Sequence, residues 1–187
     1  VLGAAIFEKP ELINEISETL GCQSVVCVLD IRKKKSLFSS SYECVTRNNT
    51  VVHPERIEDI IKVVQQRGVG EIIFNSVDRD GSMQGYDIAL LESVKNHVDV
   101  PATFLGGCGS TDDISKLIQA WGTVGAAAGS FFVFQGKYKA VLISYPTFSE
   151  REDILNLAQK NEERLPKIIL TILFLHFLLR QFSPFLP

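Results

Sequence analysis

The 187-residue chain lacks any stretch dense enough in lysine and arginine to track a nucleic-acid backbone. Nineteen basic residues stand against 22 acidic ones, the net charge is -3, and nucleic acid is not an expected partner. The one basic cluster, Arg32 to Lys35, reads as a solvated loop, with anion steering toward a nearby site as the sharper alternative. Cysteine is sparse: the four residues form no CxxC pair, and no histidine stands near them at zinc-finger spacing. A reduced, cytoplasmic protein fits that usage. His53, His97 and His176 are scattered, so neither a metal nor another cofactor is expected. No basic region precedes "VLGAAIF", which argues against a signal peptide and for a chain that begins inside a structural element. The mostly apolar run Ile168 to Leu179 has twelve residues, short of the roughly 20 that a spanning helix needs, so a membrane is not expected.

What is present is alternation. Strands are predicted at Val1 to Ile6, Val25 to Ile31, Glu71 to Val77, Pro101 to Leu105 and Val124 to Ala128. Helices are predicted at Pro10 to Leu20, Pro54 to Arg67, Asp87 to Val98 and Thr111 to Ala120, the last with Thr111 as N-cap. Such βαβ units build a parallel sheet, and strands apolar on both faces must be covered by helices or close into a barrel. The link between Ile31 and Pro54, with polar runs at Ser39–Ser41 and Asn48–Asn49, fits a hairpin or a long ordered loop.

Polar and glycine residues gather at the C-terminal ends of these strands, the edge where parallel α/β proteins bind ligands. Asp30 follows one strand; Asn75, Asp78, Asp80 and Gly81 follow the next; Gly106, Gly107 and Gly109 the third; Gly129 and Ser130 the fourth. The turns "LGGCGST" and "AAGS" can turn backbone N–H groups toward a phosphate. Asp30 and Asp80 are candidate acid and base, since a partly desolvated carboxylate is suited to proton transfer. The plainer alternative for Asp30 is a salt bridge with Arg32 or a nearby lysine. Asp78 reads as a turn or cap, and Asp87 as the N-cap of the helix that follows it.

Three segments then carry a resemblance: "GVGEIIFNSVDRDGSMQGYDIALL", "VPATFLGGCGS" and "GAAAGSFFVF", with "LGCQSVVCVLDIR" upstream. Together they resemble the cyclase subunit of imidazole glycerol phosphate synthase, the HisF family, over Val1 to about Ser149. The resemblance implies a TIM (β/α)8 barrel of the phosphate-binding ribulose-phosphate type, of which residues 1–149 are the C-terminal portion from about strand 4 to strand 8. It implies a lyase that uses ammonia from a partner glutaminase to turn a bisphosphorylated aminoimidazole-carboxamide ribotide into imidazole glycerol phosphate, a step of histidine biosynthesis. Asp30 stands at one of the two catalytic aspartates. Asn75, where the family commonly has threonine, joins Asp80 and Gly81 on a substrate loop. Gly106, Gly107, Gly129 and Ser130 fall on a phosphate site. Gln23 and Glu71 fall at the opposite mouth, where ammonia enters and the glutaminase docks.

The departures are as specific. The strands that would carry the other catalytic aspartate are not in this chain, Leu2 and Gly3 replace the family's polar strand 4 residues, and the expected piece has an open edge. The apolar "KAVLISYP" segment resembles a HisF paralogue of sugar-modifying amidotransferase systems, which deliver ammonia for an acetamidino group on a bacterial surface sugar. A non-catalytic half-barrel that binds phosphate is a third reading. Residues 150–187, a polar helix and an apolar tail, resemble nothing in the family.

Overall fold

A computed structural model describes residues 1–34, 41–135 and 140–159, so the apolar tail and most of the 39–41 polar run lie outside the described residues. The described residues form two compact units: Val1–Asp78 with Ile88–Phe104, and Arg79–Asp87 with the chain from Leu105 onward.

The first unit runs α1 (Ala5–Glu8), α2 (Glu11–Leu20), β1 (Val26–Lys33), β2 (Tyr42–Thr46), β3 (Val51–Val52), α3 (Ile57–Gln66), β4 (Glu71–Ser76), α4 (Ile88–Val94) and β5 (Ala102–Leu105). Its strands lie in the order β3-β2-β1-β4-β5. β1 and β4 are parallel, from Val26 opposite Glu71 to Ile31 opposite Ser76. The α/β class with parallel strands is therefore as expected. Alternation sets the faces: Cys27, Leu29 and Ile31, with Ile72 and Phe74, are fully buried. α3 adds Ile57, Ile60, Ile61 and Val64 to the core at i, i+3, i+4 and i+7 spacing. The rings of Phe74 and Phe104 stack 5.2 Å apart.

The expected strand at Val1 to Ile6 is corrected. Only Leu2 bridges β1, its N–H donating to Val26 O and its carbonyl accepting from Val28 N, both at 2.7 Å. Beyond it the small residues Gly3, Ala4 and Ala5 let the chain coil, and Ile6 N donates to Gly3 O at 3.0 Å. The β1 flank is thus not left bare. Leu2 covers its first half, and β2 pairs antiparallel with its second, from Asp30 opposite Val45 to Lys33 opposite Tyr42. β2 and β3 form the expected hairpin, turning through Arg47, Asn48 and Asn49, all at positive φ.

The second unit contains the loop 79–87, α5 (Thr111–Trp121), β6 (Gly125–Ala126), α6 (Ser130–Val133), the hairpin strands β7 (Phe134–Gln135) and β8 (Ala140–Val141), and α7 (Phe148–Gln159). The N-cap of α5 is Ser110 rather than Thr111: Ser110 is extended, and its Oγ accepts from Asp113 N at 3.3 Å. β6 stops two residues short of Ala128, and the Ala127 carbonyl just beyond it accepts from the Tyr86 hydroxyl at 3.0 Å. α7 opens with a reciprocal cap, Thr147 N donating to Glu150 Oε2 at 2.7 Å and Glu150 N to Thr147 Oγ1 at 3.3 Å. No helix among the described residues is long and apolar enough to cross a membrane.

Candidate functional site

The candidate residues of the first unit lie on the less buried face of β1 and β4. Parallel register puts Asp30 directly beside Asn75, and Asn75 Nδ2 donates to Asp30 Oδ1 at 2.7 Å. Arg32 does not pair with Asp30; its Nε donates to Glu43 Oε1 at 2.8 Å, across β1 and β2. The salt-bridge alternative with Arg32 therefore gives way to an amide–carboxylate pair. Asp78 is the turn residue it was read as, its Oδ2 accepting from Lys33 N at 2.7 Å. Asp87 is buried and directly precedes α4.

The same face carries a second polar pair at its other end. Glu71 opens β4, and its Oε1 accepts from the buried Thr103 hydroxyl at 2.6 Å. Gln23 lies in the short 3-10 turn Cys22–Ser24, against whose backbone Gly70 packs with no room for a Cβ, the Cys22 carbonyl lying nearest. Glu71 thus follows directly on a glycine packed against the turn that carries Gln23, while the Gln23 side chain itself folds back over Gly21. Four residue steps take β4 from Glu71 to Asn75, about 13 Å along a strand, with Val28 and Ile73 paired between them. Thr103 is a functional candidate that the sequence reading missed. A hydroxyl inside the otherwise apolar "PATFL" was the available signal.

In the second unit the two glycine turns differ. The loop 79–87 folds onto the first one: Gly85 N donates to Gly107 O at 2.7 Å, and a Cβ on Gly107 would overlap the Gly85 carbonyl. Gly109 is pressed in the same way against the Met83 carbonyl. Arg79 steadies the loop, its guanidinium donating to Gln84 O at 3.1 Å. Asp113 closes over the helix start, its Oδ2 accepting from Gly109 N at 3.0 Å. Gly107 and Gly109 thus answer to packing, and one N–H that could face a phosphate already has a carboxylate. Burial raises the Tyr86 phenol well above its usual range, with Cys108 and Asp113 adding to the effect. Burial also pushes the Cys108 thiol up to about 11.

The second turn is open. Nothing lies within 4 Å of where a Cβ would stand on Gly129, and Ser130 Oγ is 4.0 Å from that position on Gly81. Gly81 and Ser130 are therefore close, with exposed Asp80 on the same loop, while Gly106 is buried at φ +99°. Among the described residues no group of three or more histidine, cysteine or acidic side chains could hold a metal.

Residues 1–139 match a family model described as "Histidine biosynthesis protein". A Vibrio vulnificus protein provisionally named imidazole glycerol phosphate synthase subunit hisF3 is 47% identical over 156 residues, covering 83% of this chain and 59% of that protein. A Leptospira borgpetersenii protein, provisionally named subunit HisF of the same synthase, is 43% identical over 152 residues, covering 81% and 59%. The Dictyoglomus thermophilum protein named imidazole glycerol phosphate synthase subunit HisF is 34% identical over 133 residues, covering 71% and 51%. The chain thus spans 59% of the length of the first two of these curated relatives.

Proposed function

We propose, from the premise that this chain belongs to the histidine biosynthesis protein family, that it supplies part of the cyclase site of imidazole glycerol phosphate synthase. The observation that carries this is the Asp30–Asn75 pair at 2.7 Å, on adjacent parallel strands inside the matched segment. Asp30 moves protons as ammonia attacks the bisphosphorylated ribotide and the imidazole ring closes. Gly81, Gly129 and Ser130 hold a phosphate end of that substrate, and Asp80, Gly106 and Gly107 are further candidates for that role. Gln23 and Glu71, at the other end of β4, receive ammonia and face a glutaminase subunit. The gene carrying this sequence should restore growth of a histidine auxotroph lacking its own cyclase subunit. Failure, with the protein expressed, overturns the reading.

One observation favours a second acceptor. Identity is 47% and 43% to relatives whose subunit names are provisional, and 34% to one named without that qualifier. A paralogue that delivers ammonia for acetamidino modification of a bacterial surface sugar fits that ordering, as does the "KAVLISYP" segment. Deleting the gene would then remove a surface-glycan amidine and leave histidine synthesis intact.

A further inference from the structure

We infer that Asn75 is a positioning residue for the Asp30 carboxylate, and that its Oδ1 accepts from an N–H or O–H group of the ligand. The inference rests on Asp30 being the acid–base group proposed above. A carboxylate only accepts hydrogen bonds, so the donor end of the Asn75 amide must face it. That contact is 2.7 Å and joins residues in direct register on β1 and β4. The carbonyl end is thereby turned away from Asp30. It is buried and accepts no hydrogen bond from any described protein atom. Buried amide oxygens are nearly always paired, and an unmet one is costly, so such an atom marks a place where a donor arrives.

The pair also selects chemistry. Asp30 and Asn75 Oδ1 present acceptors alone, which suits an amine, amidine or hydroxyl and repels a phosphate or carboxylate. Asn75 then belongs to the amine- or hydroxyl-bearing part of the ligand, apart from the phosphate-holding role of Gly81 and Ser130. A threonine at this position could donate to Asp30 and accept from the ligand through one hydroxyl. A leucine could do neither.

Side-chain amide NMR on the 187-residue chain tests both halves. The Asn75 Nδ2 proton should exchange with water at least about tenfold more slowly than in Asp30→Ala, the loss expected for a hydrogen bond to a charged partner. The bisphosphorylated aminoimidazole-carboxamide ribotide should move the Asn75 side-chain signals, whereas inorganic phosphate should move Gly81, Gly129 and Ser130 and leave Asn75 unmoved. Asn75→Leu should weaken ribotide binding roughly tenfold, with Asn75→Thr recovering most of it and both variants unfolding cooperatively. Exchange that is equal in wild type and Asp30→Ala overturns the positioning role. Equal responses of Asn75 to phosphate and ribotide, or ribotide binding unchanged in Asn75→Leu, overturn the acceptor role. If the ribotide moves nothing at Asn75, Gly81 or Ser130, the acceptor role and the cyclase reading both fall, and the exchange measurement still decides the positioning role.

Discussion

A methyl group on Gly107 has nowhere to go: φ is +100°, and the Gly85 carbonyl fills the space. Gly107→Ala should therefore cost about 2 kcal/mol or more, through strain and overpacking together. Gly129 sits at negative φ with open surroundings, so Gly129→Ala should change stability by less than about 0.5 kcal/mol. That same methyl group should lower phosphate affinity. Denaturant unfolding and phosphate titration of the two variants separate packing from binding. The cysteines give a second contrast. Burial pushes Cys27 and Cys44 up to about 12 and Cys108 up to about 11, while Cys22 is exposed. A thiol reagent at neutral to mildly alkaline pH should label Cys22 fast and the other three only on unfolding. Both glycine turns were legible as loops from sequence. Which one is packed and which is open was not, because that depends on where the 79–87 loop lies.

At the scale of single elements, α5 is set by its first turn. Ser110→Ala removes the cap and should cost about 1 kcal/mol. Asp113→Ala should do more than destabilise. It frees Gly109 N–H from the carboxylate 3.0 Å away and removes a negative charge beside the turn. Anion affinity should rise, measured by phosphate titration; an unchanged or lower affinity would show that this turn binds no anion. The sequence placed the helix correctly and the cap one residue late, since Ser110 and Thr111 are both capping types and backbone geometry chooses between them. Periodicity located α3 by its four buried residues, yet the helix starts at Ile57, three residues after Pro54. Val1 to Ile6 misled because an apolar run says only that a segment is buried, and the small residues after Leu2 allowed coiling.

At the scale of the whole molecule, the buried thiols tie stability to pH. Well below pH 9 they are protonated folded or unfolded. As pH rises toward 11 to 12 the unfolded chain releases protons that the folded chain keeps, so stability falls across that window. Urea midpoints from pH 8 to 11 should decline, and less steeply in Cys27→Ala. The purified 187-residue chain, given ammonium and the bisphosphorylated ribotide, is expected to show no turnover, because the site proposed here needs a second aspartate that the family places on an earlier strand. Turnover in a direct assay would refute that. Family and parallel sheet were legible because strand-end glycines and "DRDG" keep their spacing; the Thr103–Glu71 and Asn75–Asp30 pairs depend on strand register, which spacing does not encode. Gly85 and Gly107 answer each other from two loops distant in sequence. Neither loop is therefore a free module: a chimera that imports residues 79–87 without 105–111 inherits a mismatch. Recombination breakpoints anywhere between those loops should be disfavoured, and the pair should pass between related barrels only as one unit.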